Sequence, residues 1–318
     1  MSSISVNTIT DASGGATTSI NGFTPSVSNM AGRNLVVNGS MNVWQRGTSF
    51  PYSSFGGAGF CADRFWFYSY GGPTSGNVER STDVPANEGF AYSLFNNTNS
   101  AMPSGTNVEL TAQGMPAPFS VGKTYTLSFW VKGASEINTT VYINWRNAHA
   151  DGANSTPAVA TNPSYTIPTT WTRISLSFTL NAAPHANNRV LDFEYSHKAG
   201  MKITGVQLEE GSVATPFEHR QYGQELALCQ RYYEYGYTSF YGSVASASSF
   251  NPDYIWTTQF KIEKRATPTI VRSNVNDLRG AYDQRVIYTS GFESGFEITD
   301  TGTPIGGAFF NFAASAEL

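Results

Sequence analysis

The sequence predicts an all-β protein: a two-sheet sandwich, one short helix and a small C-terminal β-domain. Three observations carry that expectation. From residue 33 to 218 apolar and polar residues alternate with a period of two, the pattern of strands with one buried face. Turn-rich stretches such as Gly71 to Gly76 and Asn181 to Asn188 cut the alternation into short runs, which argues for a sandwich rather than a parallel α/β sheet. Helical spacing is convincing only between about Tyr222 and Tyr235.

Residues 1 to 32 are rich in Ser, Thr, Gly and Asn and hold too few apolar residues to bury a core. Thr124 to Lys132 then places Tyr125, Leu127, Phe129 and Val131 on one side and Thr126, Ser128, Trp130 and Lys132 on the other. Thr139 to Arg146 sets Val141, Ile143 and Trp145 against Thr140, Tyr142, Asn144 and Arg146. In the same way Arg173 to Leu180 points Ile174, Leu176, Phe178 and Leu180 inward, and Val190 to His197 points Leu191, Phe193 and Tyr195 inward.

The helix between about Tyr222 and Tyr235 spaces Leu226, Cys229 and Tyr233 for one face, with Glu225 in its first turn and Gly236 where a C-cap glycine belongs. That apolar stripe must pack on the sandwich, on the C-terminal domain or on neighbouring copies of itself. Residues 237 to 318 return to β character, with short strands expected at Tyr254 to Ile262, Arg285 to Tyr288, Gly295 to Ile298 and Ala308 to Phe312. A unit of this size is marginal alone.

The 318 residues are 40% hydrophobic and 14% aromatic, enough for a substantial core, but only 13% charged against the roughly 25% of an ordinary soluble protein. A formal net charge of −4 without clustered Lys and Arg gives no footprint for nucleic acid. No run approaches the roughly 20 apolar residues of a membrane span, and the first residues lack the pattern of a signal peptide. Assembly in a cytosol is therefore expected. In that compartment Cys61 and Cys229 read as small core residues, with a bridge between them as the alternative.

Two stretches carry a resemblance: Asn34-Leu-Val-Val-Asn-Gly-Ser-Met-Asn-Val-Trp-Gln-Arg-Gly47 and Gly205-Val-Gln-Leu-Glu-Glu-Gly-Ser-Val-Ala-Thr-Pro-Phe-Glu218. They are similar to the opening and the closing strand of a carbohydrate-binding-like jelly roll that recurs in bacteriophage tail-fibre and other virion proteins. The run Tyr222 to Glu234, similar to a helix that couples this jelly roll to a variable C-terminal domain, extends the match. The resemblance implies a virion-attachment arm at 1–32, a jelly roll at 33–218, a linking helix at 219–236 and a C-terminal β-domain for oligomerisation or host contact at 237–318. It implies a homotrimer in the virion, attached to other virion proteins through the arm. The arm also reads as a plain disordered leader.

Sugar binding requires flat rings for the apolar faces of a pyranose and polar groups for its hydroxyls. If the strands around Trp130 and Tyr142 are neighbours, Trp130, Lys132, Tyr142, Asn144 and Arg146 converge on one patch. The alternative is that Trp130 and Tyr142 pack under a loop or a subunit. The tyrosines after the helix suit either a recognition surface or, preferably, a subunit interface, with Leu226, Cys229, Tyr232 and Tyr233 as its members.

Catalysis has little support. Asp192 and Glu194 lie on the solvated side of a strand, the histidines at 149, 185, 197 and 219 lack metal-ligand spacing, and no phosphate-cradling glycine loop is present. No enzyme activity, cofactor or metal is expected. The preferred reading is a tail fibre or related adsorption protein that binds host-surface polysaccharide. A purely structural head fibre, decoration protein or fibre adaptor is the alternative, and a depolymerase is a third reading.

Overall fold

The computed structural model describes residues 32–53, 56–70, 75–98, 107–113, 119–146, 156–182, 190–196, 200–243, 254–277, 287–300 and 305–317. The chain is mostly β, as the alternation predicts. The first strands are β1 (Ser49–Ser53), β2 (Gly56–Phe60), β3 (Phe65–Tyr70), β4 (Ser75–Ser81), β5 (Ser93–Thr98) and β6 (Asn107–Gln113). Then come β7 (Thr124–Lys132), β8 (Ile137–Arg146), β9 (Thr156–Pro157), β10 (Ser164–Ile167), β11 (Thr172–Thr179), β12 (Val190–Ser196) and β13 (Lys202–Glu210).

These strands form two antiparallel sheets. One runs β1-β4-β5-β13-β7-β11, and the other β10-β8-β12-β6-β3-β2 with β9 paired to β8. Tyr125, Leu127, Phe129 and Val131 of β7 meet Val141, Ile143 and Trp145 of β8, Leu176 and Phe178 of β11, and Phe65 and Phe67 of β3 in one core between the sheets. The side chains expected inside on β12 lie outside the described residues. The ladder places Phe193 opposite Ile143, and Tyr195 opposite Val141.

The helix α1 (Tyr222–Gln230) is shorter than the expected span to Tyr235. Beyond it the chain turns at Cys229 to Tyr232 and enters β14 (Tyr233–Ser243). Aromatic residues favour a pleated surface, and β14 pairs residue for residue with β19 (Ile305–Ser315) from Tyr233↔Ser315 to Ser243↔Ile305. Gly236 is consequently not a helix cap. It sits opposite Phe312, where an added Cβ would come within 2.5 Å of the ring.

The C-terminal part contains β15 (Tyr254–Gln259), β16 (Thr269–Asp277), β17 (Ile287–Phe292) and β18 (Gly295–Asp300) as well. Its two small sheets run β14-β19-β16 and β15-β18-β17. Phe260, Phe296, Phe310 and Phe312 form its core, with Phe296 edge-on to Phe312 at 5.0 Å. The expected strands are therefore present, each with somewhat different ends.

The two stretches that carry the resemblance meet each other in space. Leu35 N–H donates to the Leu208 carbonyl at 2.9 Å, and the Asn34 amide bonds the Val206 carbonyl (3.0 Å) and the Leu208 N–H (3.1 Å). An added Cβ on Gly39 would lie 2.0 Å from the Val206 oxygen, so only glycine allows this approach. Val37 and Val43 pack on Leu226, Leu228 and Cys229 of α1, and the Asn38 N–H donates to Glu225 Oε1 at 2.5 Å. Cys229 is buried in this cluster and Cys61 in the main core, and both are free thiols.

Candidate functional site

The two halves of the sugar patch expected from sequence are not neighbours. Trp130 and Lys132 lie on β7 in the six-stranded sheet, whereas Tyr142, Asn144 and Arg146 lie on β8 in the seven-stranded sheet. The connection from β7 to β8 crosses from one layer to the other instead of turning back as a hairpin. Their outward faces therefore lie on opposite sides of the sandwich.

The outer face of the six-stranded sheet is covered. Glu209 accepts bonds from the Thr215 N–H (2.8 Å), the Thr215 hydroxyl (2.6 Å) and Gln207 Nε2 (2.9 Å), and Gln207 Oε1 takes the Glu218 N–H at 2.8 Å. These bonds strap residues 211–218 across β13 and β7, and Arg173 donates to Ser128 Oγ at 2.9 Å and to the Thr215 carbonyl. Phe90, Phe217 and His219 close the end of the strap with ring centroids about 5 Å apart.

Asp83 holds the neighbouring loop. Its carboxylate accepts Lys132 Nζ at 2.9 Å, Lys202 Nζ at 2.5 Å and Trp171 Nε1 at 2.8 Å. Burial works against ionisation, but the bonds from Lys202, Lys132 and Trp171 outweigh it and hold the carboxyl far below the usual carboxylate range. Trp130 is half-buried beside Phe90 and the β13 bulge at Gly205. Lys132 and Trp130 are thus committed to closing this side, the alternative reading for the tryptophan.

The seven-stranded sheet presents the other side. Buried Val141, Ile143 and Trp145 alternate with Tyr142, 41% exposed, and Asn144, which is buried where β9 and β12 flank it. Arg146 pairs with Val190 through its backbone, and its side chain lies outside the described residues. Asn138, Ser164 and Thr166 are exposed nearby.

The ladder sets one row across four strands: Tyr142 opposite Glu194, Glu194 opposite Thr111, and Thr111 opposite Trp66. A second row sets Asn144 opposite Asp192 and Asp192 opposite Gln113. At about 4.8 Å between strands, Tyr142 and Trp66 stand roughly 14 Å apart along the row. Trp66 is half-buried and meets Phe60 edge-on at 4.9 Å. Sequence reasoning missed Trp66, although its position between the buried Phe65 and Phe67 marks it as outward-facing.

The residues expected at a subunit interface pack within their own chain. Cys229, Tyr232 and Tyr233 are covered by their own chain, and Leu226 packs with Cys229 on Val37 and Val43. The Arg64 guanidinium lies 3.6 Å over the Tyr232 ring and that of Arg46 3.4 Å over Tyr233, cation–π contacts that join sandwich to C-terminal part. Glu317 pairs with Arg46 at 3.2 Å and with Arg64. Beneath them burial pushes the Asp63 carboxyl up to about 6, opposed by Arg46 and by hydrogen bonds from Gln45. Tyr235 and Tyr237, by contrast, are 43% and 61% exposed.

Among the described residues no three His, Cys, Asp or Glu side chains gather as a metal site, and no helix is long and apolar enough to cross a membrane. Of the arm expected at 1–32, residues 1–31 lie outside the described residues.

Residues 86–199 match the carbohydrate binding domain family. No curated protein matches the chain. Among solved structures, the enzymatically active domain of tailspike protein 4 from Bacteriophage CBA120 is 18% identical over 56% of this chain and 21% of that one, with a TM-score of 0.33. The chain thus spans about a fifth of the tailspike domain's length. The N-terminal cellulose-binding domain of Cellulomonas fimi β-1,4-glucanase C is 14% identical over 46% of this chain and 90% of that one, with a TM-score of 0.31. The CBM22-2 xylan-binding domain of Paenibacillus barcinonensis Xyn10C is 13% identical over 51% and 98%, with a TM-score of 0.32.

Proposed function

We propose that the protein binds glycan through the outer face of the seven-stranded sheet and serves as a phage virion fibre, a tail fibre or related adsorption appendage. One observation carries the reading: the six-stranded sheet is strapped on its outer side, while the opposite side carries the exposed Tyr142 in one row with Trp66. The region that matches the carbohydrate binding domain family, 86–199, contains β6, β8 and β12, which supply three of the four positions of that row. The role is binding rather than catalysis.

The chemistry suits a saccharide. Tyr142 and Trp66 offer ring faces to the apolar side of a pyranose, and the polar residues between them in the row are of the kind that bond its hydroxyls. Each ring contributes on the order of 1 kcal/mol, whereas micromolar affinity needs about −8 kcal/mol. A single site is therefore weak, and several copies on one particle adhere firmly through effective concentration. The virion role rests on the resemblance of 34–47 and 205–218, and their interlocking supports reading them as one unit rather than two chance matches. A homotrimer fixed to other virion proteins by residues 1–32, and assembled in the host cytoplasm, completes the reading.

The test is adsorption of the purified chain to bacteria with and without surface polysaccharide. Expected are binding lost on glycan stripping and lost again in the Tyr142→Ala/Trp66→Ala variant. No binding when the chain is displayed at high valency assigns the protein to the structural class of head fibres, decoration proteins and fibre adaptors, and binding that survives stripping overturns the glycan reading. Breakdown of the polysaccharide would instead make it an enzyme.

A further inference from the structure

The C-terminal part carries a second surface of a distinct kind. In the sheet β14-β19-β16 the inner side holds Phe310, Phe312 and Ala314 in the core, so the alternating residues face outward. The register gives outward rows Tyr233–Ser315–Thr269, Tyr235–Ala313–Val271 and Tyr237–Asn311–Ser273. No member of these rows is charged, although Glu234, on the inner side of β14, is paired with the buried Lys264 of the β15–β16 connection. Tyr235, Tyr237 and Val271 are 43%, 61% and 59% exposed, and Thr269 and Ser273 are exposed beside them.

We infer that this face binds a neutral oligosaccharide, independently of the jelly-roll face. Size favours an occupant smaller than a second copy of the chain. Three strands about 4.8 Å apart and up to eleven paired residues at about 3.4 Å give a face on the order of 500 Å², while a stable protein interface buries about 800 Å² on each partner. A short saccharide needs no more than such a patch. Tyr235 and Tyr237 stand one strand repeat apart, about 7 Å, so successive sugar units each meet a ring. Asn311 and Ser273 in the Tyr237 row, with Thr269 at the other end, supply donors and acceptors for hydroxyls. The Tyr235 and Tyr237 rows carry no charge, which favours neutral over acidic sugars, because an acidic unit placed on them gains no cation from either row.

Arg46 limits the face at one end by stacking on Tyr233. The binding length therefore begins at Tyr235.

The experiment uses the full chain on an array of neutral and acidic oligosaccharides, with Tyr235→Ala/Tyr237→Ala, Tyr235→Phe/Tyr237→Phe and Tyr142→Ala/Trp66→Ala variants. Two lost ring contacts predict a fall of about thirtyfold in affinity for neutral glycans in the alanine pair. The phenylalanine pair, which keeps the rings, retains binding, and the jelly-roll variant retains the component that the alanine pair loses. Unchanged neutral binding in the alanine pair overturns the inference while leaving the jelly-roll reading intact, and so does loss in the phenylalanine pair equal to that in the alanine pair. If sedimentation shows the alanine pair dissociating an oligomer, the face belongs to a second copy and the inference fails.

Discussion

Replacing Asn38 by alanine tests how the N-terminal segment is held. Asn38 is fully buried with φ of 62°, a left-handed conformation that asparagine tolerates better than alanine. Its Nδ2 donates to the Val43 and Asp63 carbonyls, both at 2.9 Å, and its Oδ1 accepts the Val43 N–H at 2.9 Å. Alanine deletes all of these bonds and leaves two carbonyls and one N–H buried without that partner. At about 1 kcal/mol for each bond, with more where the orphaned group stays dry, the loss is about 3 kcal/mol. The strained backbone adds about 1 kcal/mol. Urea unfolding followed by tryptophan fluorescence should therefore show Asn38→Ala less stable by about 4 kcal/mol. Asn38→Gly loses the same bonds but relaxes the backbone, so it should recover about 1 kcal/mol of that loss. A loss under about 1 kcal/mol for alanine, or glycine worse than alanine, refutes the reasoning.

Two further outcomes are expected. The raised Asp63 pKa means that its contribution to stability is fully present below its ordinary value of 3.8 and is lost as pH rises through about 6. The shift corresponds to about 3 kcal/mol, so unfolding from pH 3.5 to 8 should show Asp63→Asn gaining on the wild type by up to that amount, and a constant difference would contradict it. Gly236→Ala should lower stability by about 1 to 3 kcal/mol, as overpacking does, since its Cβ meets the Phe312 ring. Thermal unfolding of the C-terminal part reads this, and an unchanged transition would show that the ring moves aside freely.

The sequence told inside from outside more clearly than it told partners. Leu127, Phe129, Ile143 and Leu176 enter one core because a period of two states which face each residue takes. The same period is silent on which sheet a strand joins, and β7 and β8, adjacent in sequence, fall in different layers. Trp130 and Tyr142 therefore share a polar-face pattern in the sequence without sharing a sheet. Glu194 shares a cross-strand row with Trp66, yet the two are 128 positions apart, a pairing that only the ladder through Thr111 reveals. The helix end was overestimated because Tyr233 fits both a helical stripe and a strand, and its long-range partner Ser315 decided the matter. Asn34 and Asn38 are polar residues of a type common in turns, and their buried structural roles depend on groups such as Leu208 and Asp63 far along the chain.

The interlocking of 34–43 with 206–225 has a mechanical consequence. The polypeptide enters and leaves the sandwich at nearly the same point, joined by Asn34 to Leu208, Gly32 to Glu218, and Arg220 to Glu225 and the Val36 carbonyl. Tension applied between residue 32 and the start of β14 runs through this short knot and into α1, so the two sheets hang beside the line of pull. An outer sheet face mounted on such a side branch keeps its shape while the chain is pulled from residue 32 and from β14.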